Sequence, residues 1–463
     1  MGESPATEPV CSAASGELHS WGPAVFVWGI WAGLVVAALL FVRHFGINLP
    51  QWDDYGELVP VLVGEKHITL KYLWSQHNEH RIVIPRLLQW GLTRLGGGNF
   101  VGGMFFDVLA CALLAAGLMC LARSRRGELI YADAFFPVLL LHWGHWGSFL
   151  QSDTTGNVLS TVLACMILGI MVQQPKALPL GRAGLVGLSL LLLPLCGANG
   201  LVIVPLLAAW LAYAGIRRWR LPAPHARRNG AAMMALAAAA FAEVVLYFVN
   251  FSHGPAHSER FSATLGAAGE FLANGLGYAT LMVWPSSGFL VLGALLSSVA
   301  VLATTWYRRP EQRFRAAGLL AFIATMLVLA LALGWGRAAL GGGFAPRYVI
   351  LACPVFCALY FVWELYGPRR IRGLLPMCLF VIVALLTPWN YQHGLGHAQQ
   401  VGALARAFRK DLRHGVPPAE LARRHPFLCP DVPVLTRHLE KLIQRGIGPF
   451  RTGSATLHAQ LPH

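Results

Sequence analysis

The feature that most limits what this chain can fold into is its series of long apolar runs. They reach about 17–22 residues, enough for a helix to cross a hydrocarbon core roughly 30 Å thick. Candidate spans fall at about 24–42, 101–122, 134–150, 157–172, 183–196, 200–216, 231–250, 287–306, 316–334, 347–366 and 373–388. Across the 463 residues 56% are hydrophobic and only 12% charged, about half the charge of an ordinary soluble domain. That excludes a soluble enzyme, a disordered chain and a secreted disulfide scaffold. A transmembrane barrel would show short alternating segments instead of long runs. The expected fold is therefore all-α, a polytopic helical membrane protein with about 11 transmembrane helices.

Charge supplies the topology. The net charge of +15 is not a nucleic-acid footprint, because Lys and Arg cluster between apolar runs. The clusters are Arg123, Arg125 and Arg126; Arg217, Arg218, Arg220, Arg227 and Arg228; Arg308, Arg309, Arg313 and Arg315; Arg369, Arg370 and Arg372. Such loops face the cytoplasm. A further apolar stretch, 265–284, decides the count. Read as a span, it would carry the last two clusters outside. Read as an interfacial or re-entrant helix, it keeps them inside, and that reading is adopted. Residues 1–23 are then a cytoplasmic tail and 24–388 the transmembrane domain. The first loop, 43–100, and a small helical C-terminal segment, 389–463, lie outside. The first span alone, with no Lys or Arg before it and Arg43 after it, favours the opposite orientation, and the later loops outvote it. The nine cysteines form no CxxC pair and sit mostly in apolar runs, as small buried hydrophobes.

Carboxylates are scarce, 21 in all, yet five of them crowd the first outer loop: Asp53, Asp54, Glu57, Glu65 and Glu79. Asp53 and Asp54 follow the first span by about ten residues, close to the membrane surface. Asp54 and Glu57 share a side if the segment is helical. A carboxylate there can act as a general base on a hydroxyl, or simply cap a helix. A second group, Asn78-Glu79-His80-Arg81, combines an acid, an imidazole and a guanidinium fork suited to phosphate. It can equally be a capped helix start. A third follows the next outer turn: His142, Trp143, His145 and Trp146 lead to Gln151 and Asp153. The Trp residues read as well as interface anchors. The fourth is Arg337 with Gly341-Gly342-Gly343 and Pro346-Arg347-Tyr348, where free backbone N–H groups and an Arg can meet an anion, or a flexible loop can carry a snorkelling Arg. Asp107 and Glu243 interrupt apolar runs. Asp107 is near enough the outer end to join a site. Glu243 is the main pointer to a coupled transporter.

This arrangement resembles the GT-C superfamily of integral-membrane glycosyltransferases. The likeness lies in an N-terminal span and then a large outer loop with acids just past the membrane, Trp52-Asp53-Asp54. Many further spans follow, with an Arg at the outer end of a late one, Arg347-Tyr348, and an extracytoplasmic C-terminal part. More narrowly, Asn78-Glu79-His80-Arg81-Ile82 with Pro85-Arg86-Leu87, and Pro346-Arg347-Tyr348, look like patterns in a little-characterised bacterial branch. The resemblance implies a polyprenyl-phosphate-linked sugar donor, a cell-envelope glycan or lipid acceptor, and inversion at the anomeric carbon. It implies that Asp53 or Asp54 is the base, with Glu79 assisting. Arg81 and Arg347, with His80 and Tyr348, would bind the donor phosphate. Trp52, Glu57, Gln151 and Asp153 would contact substrate. No cofactor is expected and no metal-binding constellation is evident, with a divalent metal left open. The expected location is the bacterial inner membrane with the site facing the periplasm. The partners would be lipid-linked donor, acceptor and membrane lipids, with no nucleic acid. A transporter or flippase of lipid-linked saccharide, or a polysaccharide polymerase or ligase, are the competing classes.

Overall fold

The computed structural model describes residues 13–174, 176–252 and 260–451, with the side chains of 13–20 left aside. No strand occurs among them, and the chain is all-α. Helix α1 (Ala13–Phe45) already begins within the expected tail, so the apolar run at 24–42 is only its middle. The first loop folds as α2 (Asp54–Leu62), α3 (Leu70–Trp74) and α4 (Val83–Leu95). Helix α5 (Gly102–Arg126) follows and ends at Gly127, whose left-handed backbone closes the last turn.

The stretch expected to span at 134–150 is not one helix. It breaks into α6 (Phe135–Leu141) and the short α7 (Trp146–Phe149), joined through a 3₁₀ turn. His142 is extended, and its Nδ1 accepts the Gly144 N–H at 3.0 Å. The break sits inside protein, where its freed backbone groups find partners. Next come α8 (Thr155–Gln173), the short α9 (Leu180–Leu192), α10 (Ala198–Trp219) and α11 (Pro224–Tyr247). The ambiguous segment 265–284 is not one helix: α12 (Phe261–Asn274) takes its first half with 14 residues, about 21 Å and too short to cross, and a 3₁₀ stretch (Tyr278–Val283) takes the rest. The long helices α13 (Ser286–Arg308), α14 (Arg313–Arg337), α15 (Val349–Tyr366) and α16 (Leu374–Arg413) complete the bundle. The small helices α17 (Pro418–Arg424) and α18 (Val432–Gln444) close the chain.

Nine helices among the described residues are long and apolar enough to cross a membrane, so this is a multi-pass membrane protein. Two of the eleven expected spans, 134–150 and 183–196, are instead the broken α6–α7 and the short α9. Helix α15 is apolar all round and buried almost throughout, the pattern of a central helix. Helices α1, α13 and α16 expose Val36, Leu40, Phe289, Leu296, Val381 and Leu385, the faces that lipid covers.

The bundle has two chemically different ends. At one, Arg126 pairs with Asp133 and, at 2.9 Å, with Glu364, and Tyr360 donates to Asp133 at 2.6 Å. The arginine clusters gather there, at the ends of α5, α10, α13 and α15. At the other end the first loop meets the C-terminal segment. Helix α16 is 40 residues long, about 60 Å, twice what a bilayer core needs. Its far half carries Phe408 and Leu412 into a second core with Tyr55, Val59, Val63, Leu435, Leu439, Leu442 and Phe450. Outside lipid that core is driven by the hydrophobic effect, at about 1.5–3 kcal/mol per large side chain buried.

Candidate functional site

The first loop is shaped by local chemistry. Trp52 adopts φ +49° and donates its N–H to the Leu428 carbonyl at 2.6 Å, tying the loop to the C-terminal segment. Asp53 then starts α2 without capping it by its side chain. Downstream, His77 and His80 exchange both backbone hydrogen bonds at 2.8 Å across Asn78-Glu79. Asn78 takes the left-handed conformation (φ +48°) that Asn tolerates best among non-glycine residues. This tight turn delivers His77, Glu79 and His80 to one surface.

That surface belongs to a cavity of about 630 Å³ at the bundle end remote from the arginine clusters. It gathers residues from all four sequence groups: Asp53, Asp54 and Glu57; Glu79 and His80; Asp153; and Arg337, Arg347 and Tyr348. The first turns of α8 and α10 and the 3₁₀ turn leading into α15 also line it, through Gly156, Asn157, Ala198, Asn199 and Arg347. Helix N-termini carry partial positive charge, so three of them turned toward one space favour an anion. The close approach depends on Gly156, where a Cβ would lie 2.4 Å from the Cys196 carbonyl oxygen. Asn199 donates to Asn157 at 2.7 Å, and Asn157 donates to the Arg347 carbonyl at 3.0 Å, so the three starts are bonded in series. Deeper, Val202 of α10 and Leu329, Ala332 and Leu333 of α14 make an apolar wall.

The two adjacent acids are unlike. Asp53 is exposed to the cavity, and its Oδ1 lies 3.3 Å from His77 Nε2. That hydrogen bond holds its carboxyl below the usual range, against the opposing effect of burial. Asp54 is 3% exposed, and its Oδ2 accepts the Gln51 N–H at 3.0 Å. Burial and the nearby Asp153 charge push its carboxyl up to about 8, so it is neutral at pH 7. Glu57 pairs with His77 at 2.7 Å and with Arg86. Burial raises its carboxyl, but those bonds outweigh it and leave Glu57 ionised. Burial, with Arg337 and His77 close by, pulls His80 down to about 4 and keeps its ring neutral. The His80 Nδ1 accepts the Ala198 N–H at 3.3 Å. Glu79 lies 3.9 Å from Arg337, a loose pairing. Arg347 lies over the Tyr348 ring at 5.3 Å, and among the described residues no carboxylate comes within ion-pairing distance of it.

Other expected residues lie elsewhere. Arg81 does not line the cavity. Its guanidinium donates to the carbonyls of Trp74, Tyr247 (2.9 Å) and Val249 (2.8 Å), and its N–H donates to the Tyr247 hydroxyl at 2.7 Å. It staples the first loop to α11, because a guanidinium fork fits converging carbonyls as well as phosphate. Trp52 and Gln151 also stay off the cavity wall. Gly341, Gly342 and Gly343 form no phosphate cradle: Gly343 donates to Glu270 at 2.8 Å and packs on α12. Asp107 is fully buried, accepts from Thr155 at 3.0 Å and does not reach the cavity. Glu243 lies on the half-exposed α11, outside the cavity. His142 and His145 stack at 4.5 Å, and no group of three or more His, Cys, Asp or Glu among the described residues is placed to hold a metal ion. Conversely, His77, Arg86, Asn157 and Asn199 were not among the expected site residues. Their significance depends on partners distant in sequence. The chain matches no family model, no curated protein and no solved structure.

Proposed function

We propose that this protein is a membrane glycosyltransferase that moves a sugar from a polyprenyl-phosphate-linked donor to a glycan or lipid acceptor of the bacterial cell envelope. The observation that carries the reading is the cavity itself. An exposed, ionised carboxylate (Asp53) faces Arg347, with Arg337 beside it, and an apolar wall descends along α10 and α14. Its volume suits a sugar phosphate head, and the wall suits the start of a lipid tail. The GT-C-like order of elements in the sequence agrees.

In this mechanism Asp53 accepts the proton of the acceptor hydroxyl as that oxygen attacks the anomeric carbon. The bond from that carbon to the phosphate oxygen breaks, and its electron pair leaves with the lipid phosphate. The configuration inverts. Arg347 and Arg337, with the helix N-termini, stabilise the charge that grows on the phosphate. Preorganised donors contribute most where charge develops in the transition state. Glu79 orients Arg337 or the acceptor. The positive-inside rule turns the arginine-rich end to the cytoplasm and the cavity to the periplasm of an inner membrane. Two arginines also suit a pyrophosphate, which would make the protein a glycan polymerase or ligase.

The test is transfer of radiolabelled hexose in proteoliposomes, comparing polyprenyl-phosphate and polyprenyl-pyrophosphate donors with envelope extract as acceptor. Transfer from the monophosphate donor, with free polyprenyl phosphate as product and competitor, is expected. Turnover of the pyrophosphate donor alone would favour the ligase reading, and turnover of neither would overturn both.

A further inference from the structure

Four side chains run in series from the cavity into the first loop. Asp53 Oδ1 lies 3.3 Å from His77 Nε2, and His77 Nδ1 lies 2.7 Å from Glu57 Oε1. The other oxygen of Glu57 accepts from Arg86 Nε. Arg86 is itself fixed. Its Nη1 donates to the carbonyls of Tyr72 and Leu73 at 2.9 Å and Ser75 at 2.7 Å, and its guanidinium lies 5.1 Å from the Tyr72 ring centre. The series balances, with two acids against two cations. An imidazole set between two carboxylates donates to both only when both its nitrogens carry protons.

We infer that His77 is the positioning residue of the proposed base: an imidazolium, anchored through Glu57 and Arg86, that grips one oxygen of Asp53 and leaves the other for the acceptor hydroxyl. The inference rests on the glycosyltransferase reading for the reaction, but the clamp itself does not. Among the described residues His77 is the one side-chain hydrogen-bond or ion-pair partner of the Asp53 carboxylate, and it sits on Oδ1. The groups facing His77 are Asp53 at the start of α2, Glu57 within it, Arg86 behind Glu57, His80 across the tight turn and Asp153 across the cavity. Lys66 bonds the adjacent Gly56 carbonyl at 3.3 Å. The Asn78 amide lies 3.1 Å from His77 Nε2, and a protonated ring there would draw in its oxygen. Burial alone would strip the proton from His77. The bonds to Asp53 and Glu57 outweigh it and hold the ring up to about 9. The grip is therefore present below that value and is lost as pH rises through it.

The experiment is histidine nitrogen NMR on the full-length, isotope-labelled protein in lipid nanodiscs, with His77→Gln identifying the resonance. At pH 8 both His77 nitrogens should still be protonated, whereas an unperturbed imidazole of pKa about 6.5 is almost wholly neutral. Asp53→Asn, and separately Glu57→Gln, should each lower the midpoint. A wild-type midpoint near 6.5 overturns the clamp. With a polyprenyl-phosphate-hexose donor, His77→Gln should lower kcat roughly 10–100-fold with KM little changed. It should also abolish the alkaline limb near pH 9. An equal loss at every pH with that limb intact refutes a positioning role. If His77→Gln fails to fold, Glu57→Gln gives the same two readouts with His77 in place. A confirmed NMR midpoint with no transfer by the wild type from either donor would sink the glycosyltransferase reading and leave the clamp standing, whereas a confirmed midpoint with an active Asp53→Asn variant would overturn Asp53 as the base that His77 positions.

Discussion

Exchanging Asp53 and Asp54 for asparagine, one at a time, separates two neighbours that look equivalent in the sequence. Asp53→Asn keeps the size and an oxygen for His77 but removes the proposed base. Loss of a positioned general base costs about 10²–10⁴-fold in rate, roughly 3–5 kcal/mol in the barrier. Asp54→Asn replaces a group already neutral at pH 7, because burial holds it at about 8. The amide oxygen can still accept the Gln51 N–H, so transfer should persist. Stability should respond in the opposite way. The folded value of Asp54 lies far above its ordinary 3.8. Wild-type stability thus loses about 1.4 kcal/mol per pH unit as pH climbs through that window. Asp54→Asn is spared that loss, so its advantage grows from acid pH until about pH 8 and then levels off. The assays are hexose transfer in proteoliposomes and denaturation of detergent-solubilised protein from pH 5 to 9. Full activity in Asp53→Asn, or an Asp54→Asn variant that folds but transfers nothing, would refute the assignment.

Three further outcomes follow from the same geometry. Arg347→Ala should lower kcat by about 10²–10³-fold with little change in melting temperature, and Arg347→Lys should recover only part of it, since a point charge lacks the planar fork. Arg81→Ala should instead act on stability, by about 3 kcal/mol or more, read as a lower melting temperature and faster proteolysis of the first loop. Truncation after His414 removes α17 and α18 and uncovers Tyr55 and Val59; limited proteolysis should then cut within 46–100 while the membrane bundle stays protected.

The long apolar helices could be read directly from the sequence, because lipid imposes one simple requirement over some twenty residues at a time. The exceptions have local causes. At 134–150 the run is apolar enough, but the chain breaks at the extended His142 and the 3₁₀ turn that holds Gly144, and hydropathy does not register a helix break. At 183–196 the helix is merely short. The carboxylates and Arg347 were recognisable because charge is rare in such a chain. Arg81 was not separable from Arg347 by sequence, since whether a guanidinium meets carbonyls or solvent depends on Tyr247 and Val249, about 170 residues away. His77 went unmarked for the same reason: neither carboxylate that grips it is a chain neighbour. The packing of the C-terminal segment onto α2 joins residues more than 350 positions apart, as in the pairing of Glu65 with Lys441 at 2.6 Å.

The three helix starts around the cavity have a consequence of their own. Their positive ends belong to peptide groups, so they neither titrate nor depend on which side chain occupies a given position. The preference for an anion is thus divided between replaceable arginines and an irreplaceable backbone. An ancestral or engineered variant could lose Arg347, or trade it for selectivity toward another headgroup, and still draw negative charge to the same spot. The arginines are where this site can evolve, and Gly156, which lets the helices come so near, is where it cannot.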